Sequence, residues 1–128
     1  MTVPYRPTGQ AAVSPYLLVS DAAGLIAFLK QAFGGREISR IEETDGTVRH
    51  AAVAIDDSVV MVGSRKVTFQ NSTHLYVPDV DETYRKCVAL GAKPLSEPRT
   101  YDYCDRSAGI RDAFGNVWWL GTYVGGRV

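Results

Sequence analysis

The feature that most constrains the fold of this chain is an internal repeat. Val19-Ser20-Asp21 recurs as Val77-Pro78-Asp79, a separation of 58 positions. The run VVMVG at 59–63 recurs, with the same separation, as VWWLG at 117–121. Two landmarks about forty residues apart that share one offset indicate a duplication.

Each repeat has the pattern of one strand, one helix and further strands. In the first, Asp21 is a candidate helix N-cap and Gly34-Gly35 a stop, with apolar residues at helical spacing between them: Leu25, Phe28, Leu29 and Ala32. In the second, Asp79 and Glu82 have the spacing of a capping box. The helix that follows is predicted to bury one stripe: Val80, Tyr84, Cys87 and Val88.

The strands after the first helix are clearer than those after the second. REISRIEE and RHAAVAI flank the hairpin turn Thr44-Asp45-Gly46, and Asp56-Asp57 turns into SVVMVGS. The segment 94–112, with its prolines and tyrosines, remains open between strand and loop.

A βαβββ unit has one helix, which covers one face of its sheet and leaves the other face for a second unit. We therefore predict an α+β fold of two tandem βαβββ modules, with curved mixed sheets enclosing a cleft and helices on the outside. The predicted division is an arm (1–12), a first module (13–64) and a second module (71–122), together one domain.

The charge balance excludes several classes of partner. Lys plus Arg and Asp plus Glu number 14 each, and the pI is about 6.7. Without a basic patch there is no electrostatic footprint for nucleic acid or for an anionic membrane. No apolar run approaches the ~20 residues of a membrane span, so we expect a cytoplasmic protein with a small-molecule partner.

Several motifs in order resemble the vicinal oxygen chelate superfamily, which comprises glyoxalases, bleomycin resistance proteins and extradiol dioxygenases. They are RHAAVAIDDSVVMVGS in the first module, then LYVPDVDETYRKCVALGAKPL and DRSAGIRDAFGNVWWLGT in the second. The chain is most similar to the PhnB-like, glyoxalase-like branch over about residues 13–123. This resemblance implies the paired-module fold and a homodimer.

The enzymes of that superfamily hold one divalent metal with His, Gln or Glu ligands. The resemblance places the ligand positions at Ser14, Met61, Ser72 and Trp119. These side chains are not a plausible donor set for a catalytic metal. We therefore expect no metal cofactor.

The leading hypothesis is a small-molecule-binding protein that takes an aromatic or hydrophobic ligand in the cleft, and whether it also catalyses a reaction remains open. The predicted cleft lining is His50, Met61, Ser72, His74, Tyr76, Tyr103, Arg106 and Trp119. A second hypothesis is a metal-dependent lyase, isomerase or dioxygenase with one divalent metal relocated to His50 and His74. A third is a scaffold subunit whose cleft is vestigial.

Two details of the lining depend on strand position. Tyr16 and Tyr76 are read as equivalent positions of the two modules if one local slip is allowed. Asp105 and Arg106 are candidates to pair with each other, to anchor a loop or to bind an anion.

The two adjacent tryptophans are expected to differ in role, because neighbouring strand residues point to opposite faces. Trp118 is predicted to pack in the core and Trp119 to face the cleft.

Overall fold

A computed structural model describes residues 4–67, 69–101 and 105–125. Residues 4–15 contain neither helix nor strand. The elements of the first module are β1 (Tyr16–Val19), α1 (Ala22–Phe33), β2 (Arg36–Glu42), β3 (Val48–Ile55) and β4 (Ser58–Ser64). Those of the second are β5 (Ser72–Tyr76), α2 (Val80–Ala89), β6 (Lys93–Thr100), β7 (Asp105–Arg111) and β8 (Val117–Tyr123). The order β-α-β-β-β occurs twice and confirms the predicted α+β, two-module fold.

Each module forms one open, mixed sheet of four strands. The strand orders are β1-β4-β3-β2 and β5-β8-β7-β6, with β1 parallel to β4, β5 parallel to β8, and the other pairs antiparallel. Tyr16 lies opposite Met61, and His74 lies opposite Trp119. Tyr16 is therefore the counterpart of His74, and its predicted equivalence with Tyr76 is corrected by this register.

The predicted caps begin both helices, and the predicted glycine stop ends the first. Asp21 accepts a hydrogen bond from the backbone N–H of Gly24 at 2.9 Å, and Asp79 accepts one from Glu82 at 3.2 Å. These carboxylates satisfy N–H groups that the first turn of a helix leaves unpaired. Helix α1 stops at Gly34, whose φ of 67° lies in the left-handed region that glycine adopts without a Cβ penalty.

The buried stripe of α2 differs from the prediction at two positions. Val80 and Cys87 are buried as expected, and Tyr84 packs against the core. Thr83 is buried, whereas Val88 is exposed. The helix is short and presents a narrow face to its sheet, so the stripe does not extend as far round as Val88.

The segment left open between 94 and 112 contains the two strands β6 and β7. The pairing of β6 with β7 is irregular between Pro94 and Ser96 and again between Ser96 and Arg99. Such irregularities, with prolines on an edge strand, break the period-two pattern that identifies a strand in sequence.

The helix-covered sides of the two sheets meet in one shared core. The ring of Phe33 in α1 lies 4.9 Å from that of Trp118 in β8, and Phe28 lies 6.4 Å from Phe114 (centroid distances). Among the described elements, backbone contact between the modules is confined to α1 and α2. The helices therefore lie between the two sheets and not on the outside as predicted. Over the residues that the structure describes, the opposite faces of both sheets are turned toward solvent and do not enclose a cleft with each other.

Trp118 is a core residue, as predicted. Its side chain is 1% exposed, and its indole N–H donates to Asp112 at 2.9 Å. The same buried carboxylate accepts bonds from the backbone N–H groups of Phe114 and Asn116, both at 2.9 Å. Asp112 therefore organises the turn before β8 and orients the tryptophan that follows.

Candidate functional site

The candidate site is the uncovered face of the second sheet, which we call the Trp119 face. Strand alternation places side chains from β5, β7 and β8 on it: Ser72, His74, Tyr76, Asp105, Trp119 and Tyr123, with Gly109 and Gly121 between them. Trp119 is 43% exposed, in contrast to its buried neighbour Trp118. The expected division of the two tryptophans between two faces is confirmed by their burial.

The indole of Trp119 lies across the sheet and is fixed at both ends. Its N–H donates to the hydroxyl of Ser72 on β5 at 2.8 Å. At its other end the ring covers Gly109 on β7, where an added Cβ would lie 2.5 Å from Cζ3 and 2.7 Å from Cε3. A glycine is required there because no larger side chain leaves room for the ring. The result is a rigid aromatic surface that water can reach.

The hydrogen bond between Trp119 and Ser72 also bears on whether a metal fits these positions. Ser72 and Trp119, two of the four positions implied by the resemblance, are bonded to each other. An indole N–H is a donor only, and a serine hydroxyl already occupied by it is a poor ligand for a divalent cation. The side chains present at these positions therefore do not fit the superfamily's metal.

Beside Trp119 lies a polar cluster of His74, Tyr76 and Asp105. The rings of His74 and Tyr76 meet edge to face with centroids 4.5 Å apart. The Tyr76 hydroxyl donates to Oδ2 of Asp105 at 3.1 Å. A Cβ added at Gly121 would lie 3.1 Å from His74 Nε2 and 3.6 Å from Asp105 Oδ2, so these groups surround one glycine.

His50 and Met61 occupy the uncovered face of the first sheet instead. His50 packs edge to face on Tyr16, with ring centroids 5.6 Å apart, and Tyr16 lies opposite Met61. The strands of the two sheets make no backbone contact with each other in the described part of the chain. The predicted cleft residues are thus distributed over two faces, one in each module.

Arg106 is separated from the other predicted site residues. It follows Asp105 on β7 and therefore points to the helix-covered side, where Nη2 donates to Asp81 of α2 at 2.9 Å and Nε donates at 2.6 Å. The guanidinium, by hydrogen bonding and charge, lowers the pKa of Asp81. Of the three roles left open for Arg106, the structure is consistent with the anchoring one, because the guanidinium ties β7 to α2 through Asp81. Tyr103 lies outside the described residues.

A groove of about 370 Å³ runs along the edge of β5 and opens next to the polar cluster. Its walls are His74, Leu75 and Tyr76 on one side and the β3–β4 turn on the other, with Ile55, Asp56, Asp57 and Ser58. His74 belongs both to this groove and to the Trp119 face. The groove therefore extends the aromatic surface toward two carboxylates of the first module.

Sequence reasoning missed two structural features of this face. The sequence left a pairing of Asp105 with Arg106 open as one of three roles, but adjacent strand residues point to opposite sides, and strand alternation would have excluded that pairing. Gly109 gave no signal, because nothing local shows that a side chain from the next strand covers it.

In the ranges 4–67, 69–101 and 105–125, no three His, Cys, Asp or Glu side chains lie together as a metal would require. Within the same ranges, no helix has the length and hydropathy to span a membrane.

Comparison with known proteins gives one family and several related structures. The sequence model of the Glyoxalase/Bleomycin resistance protein/Dioxygenase superfamily matches residues 10–120. An uncharacterized protein of Mycobacterium bovis, Mb0911c, is 33% identical over 90% of this chain and 85% of its own length.

Two solved structures are similar in fold. TioX from Micromonospora sp. ML1 has a TM-score of 0.75 at 23% identity, covering 88% of this chain and 98% of TioX. The PhnB protein from Bacillus cereus has a TM-score of 0.69 at 17% identity, covering 88% and 99%.

Proposed function

Because the chain belongs to the Glyoxalase/Bleomycin resistance protein/Dioxygenase superfamily, we propose that it binds a planar aromatic small molecule on the Trp119 face. The family membership confirms the resemblance inferred from the sequence motifs. The superfamily contains both enzymes and binding proteins, so the choice between them rests on this chain's own side chains.

The observation that carries the proposal is the fixed, exposed indole of Trp119. A bond to Ser72 and the contact with Gly109 hold the ring in one orientation before any ligand arrives. A ligand that stacks on it therefore does not have to pay for ordering the side chain, a cost of about 0.5–1.5 kcal/mol per flexible residue. Stacking between aromatic rings adds about 0.5–1.5 kcal/mol beyond the area that it buries.

Calorimetric titration with acridine, a flat and uncharged probe at pH 8, tests the proposal. We expect Trp119→Ala to bind acridine about tenfold more weakly than the wild type. Phe69→Ala is the matched control, because it also removes an exposed aromatic ring, but from the segment that connects β4 to β5. Equal binding by the wild type and Trp119→Ala, or no binding by the wild type, would refute the proposed site.

We propose that this binding needs no metal, since Ser72 and Trp119, which stand at two of the family's ligand positions, are hydrogen bonded to each other. Protein treated with a chelator is expected to bind acridine as tightly as untreated protein. The competing lyase, isomerase or dioxygenase hypothesis predicts a stoichiometric metal in the purified protein that His74→Ala removes. Elemental analysis of both proteins distinguishes the two.

The homodimer and the cytoplasmic location remain predictions. Gel filtration with light scattering tests the first, and fractionation of cells that produce the protein tests the second.

A further inference from the structure

Asp105 is a buried carboxylate that is only half satisfied. The residue is 8% exposed and lies at the start of β7 on the Trp119 face. Oδ2 accepts the bond from Tyr76, whereas Oδ1 has no hydrogen-bond partner among the described residues. A buried polar group without its partner is costly, and more so when it is charged. The uncompensated negative charge of this carboxylate favours a cation bound on the adjacent Trp119 face.

The neighbours of Asp105 are the aromatic groups that attract organic cations. Tyr76 touches the carboxylate, and His74 packs on Tyr76. Trp119 lies directly opposite His74 on the next strand. Aromatic faces grouped around a positive charge contribute about 0.5–2 kcal/mol to its binding.

Further negative charge lies across the groove. Asp56 and Asp57 form the β3–β4 turn that faces His74 and Tyr76. In the part of the chain that the structure describes, neither they nor Asp105 forms an ion pair with a Lys or Arg side chain. Three carboxylates without an ion-pair partner among the described residues make this end of the face attractive to a cation.

The arginines of the same face do not neutralise this charge. Arg111 lies opposite Val117, at the other end of the face, where it donates to the backbone carbonyl of Gly115 at 3.5 Å. Arg99, on the edge strand β6, packs over the ring of Tyr101.

We infer that the ligand is a planar aromatic cation, with its ring system on Trp119 and its positive charge toward the His74–Tyr76 end of the face, beside Asp105. This inference rests on the proposed function and adds the charge of the ligand to it. Gly121 lies two residues after Trp119 on the same strand, so the positive charge would lie within roughly 7 Å of Trp119.

A pair of probes separates charge from stacking. Acridine is uncharged at pH 8, and 9-aminoacridine has nearly the same ring system but is a cation. We expect the wild type to bind 9-aminoacridine at least about tenfold more tightly than acridine, and Asp105→Asn to lose most of that preference. As a control, Glu43→Gln also removes one negative charge, but from the β2–β3 turn, and it is expected to keep the preference for 9-aminoacridine. The preference should also decrease at high salt.

Substitution in the exposed turn provides a test that does not depend on the folding of an Asp105 variant. Asp56 has a positive φ of 53°, which asparagine tolerates, so the double substitution Asp56→Asn, Asp57→Asn preserves the turn. We expect it to reduce the preference for 9-aminoacridine about twofold to fivefold, with acridine unchanged.

The outcomes distinguish the inference from the function on which it rests. Equal binding of both probes by the wild type, or a preference that Asp105→Asn leaves intact, overturns the inference while acridine binding still supports the aromatic site. Tighter binding of 9-anthracenecarboxylate than of 9-aminoacridine overturns it as well. Binding that Trp119→Ala does not change refutes the proposed function itself.

Discussion

Substitution of Gly109 by alanine should displace Trp119 without removing it. The new Cβ would lie 2.5 Å from Cζ3, whereas carbon atoms in contact are about 3.5–4.0 Å apart, so the ring must move by at least about 1 Å. A ring that moves this far gives up its bond to Ser72, which is worth about 0.5–1.5 kcal/mol. Because the indole is half exposed, it can swing into solvent, and we expect a loss of stability of only about 1–2 kcal/mol.

The consequence for binding is larger than the consequence for folding. We expect Gly109→Ala to bind acridine about tenfold more weakly in calorimetry, because a mobile ring must be ordered again by the ligand. A double-mutant cycle isolates the cause: in a Trp119→Ala background the same substitution should leave acridine binding unchanged. Acrylamide should quench the fluorescence of Gly109→Ala more strongly than that of the wild type. Unchanged affinity, or the same loss in both backgrounds, would refute the stacking surface described above.

Three further predictions concern stability and reactivity. In urea unfolding, Trp118→Phe should lower the free energy of unfolding by about 2–4 kcal/mol, because it opens space in the core and removes a buried hydrogen bond. Trp119→Phe should lower it by less than about 1 kcal/mol. Similar losses for the two variants would contradict the assigned faces. Because Arg106 lowers the pKa of Asp81, the ion pair should stabilise the protein at pH 7 and lose its effect as the pH falls through that lowered pKa. The difference in melting temperature between the wild type and Arg106→Gln should therefore shrink in acid. A difference that does not depend on pH would disprove the linkage. Burial, aided by the charge of Asp112, raises the pKa of the Cys87 thiol to about 12. Iodoacetamide at pH 8 should therefore label Cys87 only in denaturant, which peptide mass spectrometry would detect. Rapid labelling of Cys87 in the folded protein would contradict its burial.

The sequence predicted best what depends on local pattern. The caps at Asp21 and Asp79 and the stop at Gly34 depend on a few neighbouring residues, and they were found where the structure has them. The assignment of Trp118 to the core followed from strand alternation and the repeat. The segment 94–112 remained ambiguous because β6 is an edge strand with prolines and irregular pairing, so its residues do not alternate.

The candidate site was predicted residue by residue and only partly as a set. Four predicted residues lie on one face because each has the right parity, meaning the odd or even position along its strand that decides to which side it points: Ser72, His74, Tyr76 and Trp119. His50 and Met61 have the right parity too, but their sheet presents its face elsewhere. Parity gives the side of a strand and carries no information about where the whole sheet faces.

The sequence by itself therefore determined the repeated module pattern, the two helices and the division of the two tryptophans between core and surface, since these follow from periodicity, capping and the comparison of the two repeats. Only the tertiary structure decided that the helix-covered sides share one core, that Trp119 lies over Gly109, and that Asp105 lies beneath Tyr76 while Arg106 pairs with Asp81. These are contacts between distant strands and helices. They depend on register and on how two modules pack, which no local stretch of the chain encodes.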